Sequence, residues 1–396
     1  MRPLTRIARG DRDRVEDPYR ASSPPIYQTA TFAQQSAESF GEFDYSRSGN
    51  PTRANLERAV ATLENASHGL AFGSGMAALA AVTRLVRPGE RIVASTDLYG
   101  GAYRLLSEIV EPQGVTVEYV DLDQLEIARR ALSKPARLVL FESPTNPLHR
   151  VIDTRAISTL AKRAGARVAV DNTMLSPYRQ RPLDLGADLV VHSATKFLSG
   201  HADLTAGLVL TNDPVIAERL EFILNAEGTG LAPFEAWLLQ RGLRTLGVRM
   251  DRQEANTRVI AEFLAAQPWV RRVNYAGLPG SPGHELLIAQ ATGAGSVLAF
   301  ETGDYETSRR FVEALELFSI TVSFGSVCSL ASLPCRMSHA SIPESVRNRR
   351  QLPEDLVRLS IGIEDANDLL DDLSRAASIA LRETEHATDC ADLASV

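Results

Sequence analysis

The 396-residue chain contains only three cysteines, and it has no long apolar run. Cys328, Cys335 and Cys390 show no paired spacing and no C-x-x-C motif, so we expect neither a disulfide framework nor a metal site. No stretch approaches the ~18 apolar residues that a membrane-spanning helix needs, and the first residues lack the apolar segment of a secretory signal. These absences predict a protein of the reducing cytoplasm.

The chain also has no excess of basic residues. The 42 lysines and arginines are outnumbered by 49 aspartates and glutamates, which gives a formal net charge of −7. Nucleic acid and anionic membrane surfaces are therefore not expected as partners. The hydrophobic fraction of 44% is ordinary for a globular protein, and the chain is longer than a single core usually serves. We expect two domains and either an enzyme or a metabolic binding protein.

Apolar runs and helical periodicity alternate through the first half of the chain. Strands that alternate with helices are typical of a mostly parallel α/β sheet, whose ligands gather at the carboxyl ends of the strands. Strands are predicted at 70–72, 91–94, 115–120, 137–141, 167–170 and 187–191, and helices at 53–65, 76–86 and 155–164.

Two other parts of the chain have a different pattern. Residues 1–50 carry turn signals and weak periodicity, which predicts an irregular arm that lies across a neighbouring subunit. A long helical stretch at 241–264 precedes a mixture of short strands and helices, including a strand at 356–361. The sequence therefore predicts an arm at 1–50, an α/β domain at 51–245 and a smaller α+β domain at 246–396.

An amine and a carboxylate stand where predicted strands end. Asp171 closes the apolar run 168–170, and Lys196 follows the run 189–191. Alone, Asp171 is better explained as a turn cap and Lys196 as a solvated loop lysine. Together at one sheet edge they match what pyridoxal phosphate requires: a lysine that forms a Schiff base with the aldehyde, and an acid that keeps the pyridine nitrogen protonated.

Small and hydroxylated residues nearby suit a phosphate group. Ser193 and Thr195 flank the lysine, and Gly75 and Met76 offer backbone N–H groups at a predicted helix start. Tyr99 follows another predicted strand, where its ring could stack on the pyridine.

The same glycine-rich turn permits another interpretation. Residues 73–78, Gly-Ser-Gly-Met-Ala-Ala, satisfy G-x-G-x-x-G/A, and Asp97 follows at about the spacing of a dinucleotide-binding site. A dinucleotide-binding or non-catalytic protein is therefore the alternative. Nicotinamide chemistry has no need of the lysine site, so the pyridoxal phosphate hypothesis is favoured.

Longer motifs now identify a family. Asp-Asn-Thr at 171–173 and His-Ser-Ala-Thr-Lys-Phe-Leu-Ser-Gly-His at 192–201 resemble the lysine signature of the Cys/Met-metabolism family of fold-type I pyridoxal phosphate enzymes. Further motifs extend the resemblance over nearly the whole chain, at 45–52, 72–76, 142–147, 241–246 and 358–365. The resemblance implies an aspartate aminotransferase-like large domain, a smaller C-terminal domain, and homotetramers made of dimers with shared active sites.

The resemblance also implies a role for each site residue. Lys196 is the Schiff-base lysine and proton shuttle, Asp171 the partner of the pyridine nitrogen, and Tyr99 the stacking ring. The cofactor phosphate is held by Gly75, Met76, Ser193 and Thr195, and by Tyr45 and Arg47 of the neighbouring subunit. The substrate α-carboxylate is bound by Arg358 with Asn146 and Ser323.

The substrate class within the family depends on a few positions. Segments 225–234, 293–297, 322–327 and 333–343 look most like plant-type cystathionine β-lyases, and Gly101 stands where methionine γ-lyases place a cysteine. Cys328 occupies a position at which γ-synthases and γ-lyases carry glutamate, so this residue either contacts the substrate or is an ordinary core cysteine.

These features predict a lyase acting on an amino-acid substrate. The expected reaction is β-elimination of cystathionine to homocysteine, pyruvate and ammonia. The alternatives are γ-elimination or γ-replacement on cystathionine or O-acylhomoserine, or action on a specialised amino acid.

Overall fold

The structure is a computed structural model that describes residues 2–9, 19–338, 340, 347 and 352–393, with side chains as far as residue 382. Within these ranges, every helix is too short or too polar to span a lipid bilayer. Cys390 lies beyond the described side chains, and part of segment 333–343 lies outside the described residues.

The larger of two sheets has seven strands in the described chain. They are β1 (His68–Phe72), β2 (Arg91–Ser95), β3 (Thr116–Val120), β4 (Leu138–Glu142), β5 (Arg167–Asp171), β6 (Leu189–Ser193) and β7 (Gly207–Thr211). Their order is β1-β7-β6-β5-β4-β2-β3. Strands β2 to β6 are parallel to one another, while β7 pairs antiparallel with β1 and with β6. The predicted mostly parallel α/β sheet is confirmed.

Helices cover both faces of this sheet, so its central strands are buried on both sides. The helices of this part are α1 (Pro3–Arg9), α2 (Pro51–Glu64), α3 (Gly75–Thr83), α4 (Gly100–Leu105), α5 (Leu125–Ala131), α6 (Thr154–Arg163), α7 (Ser176–Arg179), α8 (Pro214–Glu227) and α9 (Pro233–Leu243). A π-helical turn at Leu106–Val110 extends α4, and 3-10 turns lie at Glu111–Gln113 and Pro182–Leu185.

Side-chain caps explain where several of these helices begin. Asn50 accepts hydrogen bonds from the N–H groups of Thr52 and Arg53 at the start of α2, and Asp213 caps α8 in the same way. A proline occupies the first turn of both helices, where it displaces no intrahelical hydrogen bond.

The smaller sheet belongs to the second part of the chain. Its strands and helices are α10 (Leu246–Ala265), β8 (Arg272–Asn274), α11 (His284–Gln290), β9 (Val297–Glu301), α12 (Tyr305–Glu313), β10 (Ser319–Ile320), β11 (Leu330–Ser332), β12 (Leu356–Ser360) and α13 (Ala366–Leu393). The strand order is β10-β11-β12-β9-β8, antiparallel except for the β10–β11 pair. A cluster of aromatic rings, including Phe300 and Phe311, joins this sheet to its helices. The predicted smaller α+β unit is confirmed.

Three expectations about individual elements were wrong or incomplete. The arm begins with helix α1, which buries Ile7 against the larger unit, so its first residues are not irregular. The long helical stretch is divided at Arg244 and Thr245 into α9 and α10. Strand β7 and helix α8 were not predicted. The expected boundaries at 51 and 246 fall on the first residues of α2 and α10, and the division into domains stays a prediction.

Candidate active site

A cavity of about 560 Å³ opens at the carboxyl ends of β4, β5 and β6. The smaller sheet closes its opposite wall. Ten of the predicted site residues line it, namely Gly75, Met76, Tyr99, Asn146, Asp171, Ser193, Thr195, Lys196, Ser323 and Arg358. The fold thus brings together residues that lie as far apart as 283 positions in the chain.

Lys196 lies in the turn that follows β6, with its side chain largely buried. Its Nζ donates a hydrogen bond to Ser323 Oγ and lies 5.2 Å from the centroid of the Phe324 ring. Burial, together with the positive charge of Arg358, lowers the pKa of this amine to about 8, although Asp171 acts in the opposite direction. More of the amine is therefore neutral and nucleophilic near neutral pH than in an exposed lysine.

Asp171 is the last residue of β5, next to β6 in the sheet. Thr173 donates to its carboxylate from both its backbone N–H, at 3.0 Å, and its hydroxyl. Burial raises the pKa of Asp171, whereas the two hydrogen bonds from Thr173 and the charges of His192 and Lys196 lower it. The hydroxyl of Thr173 also accepts the N–H of Ser193 at 2.8 Å, so this threonine ties the carboxylate to the strand that carries the lysine.

The start of helix α3 forms a place for an anion. Ser74 caps the helix by accepting the N–H of Ala77, and Gly75 opens its first turn. A side chain at position 75 would lie 2.8 Å from Ser193 Cβ, so only glycine permits this approach of the helix to β6. The free N–H groups and the dipole of the helix favour a phosphate here. Thr195, beside them, exchanges hydrogen bonds with the backbone of Ala206.

Arg358 lies in the middle of β12 and is only 2% exposed. Its Nη1 donates to Asn146 Oδ1 at 3.0 Å, and its Nη2 donates to the carbonyl oxygen of Ser323 at 2.8 Å. Burial lowers the pKa of this guanidinium to about 10, so it remains charged at neutral pH. No carboxylate in the described residues pairs with it, which leaves it available to an anionic ligand.

Ser323 occupies a strained position between the two cations. Its φ of +89° lies in the region that favours glycine, and it contacts Lys196 through its hydroxyl and Arg358 through its carbonyl. The ring of the next residue, Phe324, lies 5.5 Å from Arg358 as well as near the lysine. Such a ring stabilises both cations through its π face, and sequence reasoning missed it.

Tyr99 precedes helix α4 and remains 37% exposed, with its ring at the cavity. A side chain at position 101 would lie 2.4 Å from Tyr99 Cε1, so Gly101 leaves the space that the ring occupies. The N–H of Tyr99 donates to Glu142 Oε1 at 2.6 Å. Glu142 also lines the cavity and was not predicted as a site residue, although it begins the motif at 142–147.

Three of the predicted site residues do not reach this cavity. Tyr45 and Arg47 are exposed on the arm, where Arg47 donates to Asn225 Oδ1 at 3.1 Å. Cys328 is an exposed free thiol outside the cavity lining, so its interpretation as a core cysteine was wrong. Its contact with the substrate stays a prediction.

Asp97, the acidic residue of the dinucleotide alternative, is buried and accepts a hydrogen bond from the Thr145 hydroxyl. It is not among the residues that line the cavity, where a ribose-binding carboxylate would be expected. The residues that do face the cavity fit pyridoxal phosphate: an amine with a lowered pKa, a carboxylate one strand away, and a helix N-terminus cleared by glycine.

Comparisons with known proteins agree with this chemistry. The family described as Cys/Met metabolism PLP-dependent enzyme matches residues 5–378. The chloroplastic cystathionine beta-lyase of Arabidopsis thaliana is 52% identical over 364 residues, which cover 92% of this chain and 78% of that relative. The cystathionine gamma-lyase of Bacillus subtilis is 43% identical over 356 residues, or 90% of this chain and 94% of that relative. The crystal structure of a cystathionine gamma synthase from Xanthomonas oryzae pv. oryzae in complex with cystathionine has a TM-score of 0.94 and 38% identity, and the match covers 96% of this chain and 99% of that one.

Proposed function

The chain belongs to the Cys/Met metabolism family of pyridoxal phosphate-dependent enzymes, and we propose that it cleaves cystathionine by β-elimination. The products are homocysteine, pyruvate and ammonia, with one water consumed. The observation that carries the proposal is the cavity that brings together Lys196, whose pKa is lowered to about 8, Asp171 and the buried Arg358. The similarity to cystathionine beta-lyases selects the substrate.

Pyridoxal phosphate, when bound, supplies a ring that withdraws electrons from the Cα–H bond of an attached amino acid. Asp171 would stabilise the positive charge of the ring nitrogen. The first turn of α3, with Ser193 and Thr195, would hold the phosphate, and Tyr99 would stack on the ring.

The substrate is oriented from the other wall. Arg358, with its fork held by Asn146 and the carbonyl of Ser323, binds the α-carboxylate. This places Cα near Lys196, whose Nζ removes the proton. The hydrogen bond to the Ser323 hydroxyl orients the amine for that task.

A further cation suits the distal end of cystathionine. Arg104 lines the cavity, is exposed at its mouth, and makes no ion pair with a carboxylate among the described residues. Cystathionine carries a second carboxylate at its far end, which this guanidinium could bind.

The second candidate is elimination or replacement at Cγ, on cystathionine or O-acylhomoserine. It is favoured by the likeness to a gamma-lyase and to a gamma synthase solved with cystathionine, because the proposed residues serve either course. Purified enzyme supplied with cystathionine separates the two: pyruvate with homocysteine supports cleavage at Cβ, and 2-oxobutyrate without pyruvate contradicts it. The Lys196→Ala variant, assayed beside it, accounts for any uncatalysed keto acid.

The exposed arm supports a proposal about assembly. Tyr45 and Arg47 lie outside the cavity of their own chain, and we place them at the phosphate of a neighbouring subunit in a homotetramer that works in the cytoplasm. Mixing inactive Lys196→Ala subunits with weakly active Arg47→Ala subunits should then restore activity above that of either, since mixed dimers contain one intact site. Activity no greater than the sum of the two parents would contradict a shared site.

A further inference from the structure

One buried acid at the cavity has no role in the proposed chemistry. Glu142 is the last residue of β4 and only 5% exposed, and it is in register with Asp171 on the neighbouring parallel strand. Both residues line the cavity. A carboxyl group so deeply buried is costly unless its hydrogen bonds offset the loss of water.

The hydrogen bonds of Glu142 connect two loops of the site. Its Oε1 accepts the N–H of Tyr99 at 2.6 Å, and the backbone N–H of Asn146 also interacts with the carboxyl group. Tyr99 lies in the loop that follows β2, and Asn146 in the loop that follows β4. One carboxyl group therefore connects the backbone at Tyr99, whose ring lines the cavity, with the backbone at Asn146, whose side chain binds Arg358.

The charge of Glu142 is compatible with this place beside Asp171. Burial, and then the nearby negative charge of Asp171, raise the pKa of Glu142 well above its usual range. Asp171 keeps the competing advantage of two hydrogen bonds from Thr173 and of the cation of Lys196. Of the two carboxyl groups, Asp171 is therefore the one whose negative charge has more support from its surroundings, and Glu142 contributes to the site through its hydrogen bond.

We propose that Glu142 is a positioning residue that holds the loops of Tyr99 and Asn146 in place beside Asp171, and so sets both cofactor affinity and substrate orientation. The inference rests on the proposed roles of Tyr99, Asp171 and Arg358. Glu142 itself touches neither Lys196 nor Arg358 through a hydrogen bond in the described residues.

A purely structural role is the competing explanation, and the chain offers a matched control. Asp372, on α13, is also 5% exposed and accepts the backbone N–H groups of Glu316, at 3.0 Å, and Leu317, at 2.8 Å. It lies in the smaller unit, away from the cavity lining. Removing either carboxyl group leaves backbone N–H groups without their acceptor, and at Asp372 it also removes the ion pair with Arg375, but only the loss of Glu142 affects the site.

The experiment compares holoenzyme variants Glu142→Ala, Glu142→Gln and Asp372→Ala. The measured quantities are the thermal midpoint, the Kd for pyridoxal phosphate titrated through its absorption at about 420 nm, and kcat and KM for cystathionine. Both alanine variants should lower the thermal midpoint. Only Glu142→Ala should also weaken cofactor binding and raise KM, each by about tenfold. Glu142→Gln keeps one acceptor oxygen and should lose clearly less.

Unchanged Kd and KM in Glu142→Ala, or an equal loss in Glu142→Gln, would overturn the inference. If Glu142→Ala does not fold, Glu142→Asp replaces it, because a carboxyl group one methylene shorter cannot reach both amides; unaltered Kd and KM there would likewise reject the role. Failure of the proposed function looks different, since the wild-type protein itself would then release 2-oxobutyrate without pyruvate from cystathionine, or fail to turn it over, whatever the Glu142 variants do.

Discussion

The two walls of the cavity are built on different physical principles. The edge of the larger sheet carries Glu142, Asp171 and Lys196, whose pKa values are all shifted by burial first and then by neighbouring charges and hydrogen bonds. The wall from the smaller sheet carries Arg358, which stays charged and whose fork is fixed by neutral oxygen atoms. The wall of the larger sheet thus depends on the protonation states of its residues, and the wall of the smaller sheet depends on the geometry of one fixed charge.

Because the two walls differ in this way, substitutions on one wall should affect different properties of the enzyme from substitutions on the other. Changes at the larger sheet should affect cofactor attachment and the chemical step. Changes at the smaller sheet should affect mainly the binding of substrate while the cofactor remains attached. The following measurements test the separation.

The largest effect is expected for Lys196→Ala. Removing the amine abolishes both cofactor attachment and proton removal at Cα, so the visible absorption band should vanish and kcat/KM should fall by at least about 10³-fold. The absorption spectrum and the keto-acid assay check this. Turnover close to that of the wild type would contradict the assignment of the lysine.

A smaller loss is expected at the opposite wall for Arg358→Lys. An ammonium keeps the charge but not the two-pronged geometry, so kcat/KM should fall by roughly 10²-fold, mostly through KM, with the visible band retained. Arg309→Lys, on the exposed surface of α12, is the matched control and should change neither. Loss of the band in Arg358→Lys would show that the two walls are not separable.

The charge of Arg358 also links the walls, and this link can be measured by pH. Burial and Arg358 lower the pKa of Lys196 to about 8, and the neutral amine is the form that attaches the cofactor. The rate of attachment to the cofactor-free protein should therefore rise with pH and level off above about 8. In Arg358→Gln this profile should move to higher pH, by up to about one unit, because a cation has been removed. A shift to lower pH would refute the electrostatic link.

The smallest effect is expected for Cys328→Ala. The thiol is exposed and outside the cavity lining, so kcat/KM for cystathionine should change by less than about twofold. A loss of tenfold or more would contradict this expectation and support the substrate contact that the sequence position of Cys328 suggested.

The sequence predicted the site residues of the larger sheet better than those of the smaller sheet. Lys196 and Asp171 follow apolar runs, and parallel strands bring their ends together, so their proximity is a consequence of local patterns. Arg358 has no such signal, and its role was inferred only from the family resemblance.

What the sequence could not predict depends on tertiary contacts. In the sequence, Glu142 is simply an acidic residue at the end of an apolar run. Only the fold places it beside Asp171 and within hydrogen-bond distance of the N–H of Tyr99. The bridging role of Thr173 and the position of Phe324 between two cations likewise appear only in three dimensions. The exposure of Cys328 also depends on the tertiary fold and could not be predicted from its sequence position.

The most direct test of the central claim is to locate the covalent attachment. The chain has three lysines, Lys134, Lys162 and Lys196. Borohydride reduction of the holoenzyme followed by peptide mass spectrometry should place the pyridoxyl adduct on Lys196. An adduct on Lys134 or Lys162, or no adduct on any of the three, would contradict the account.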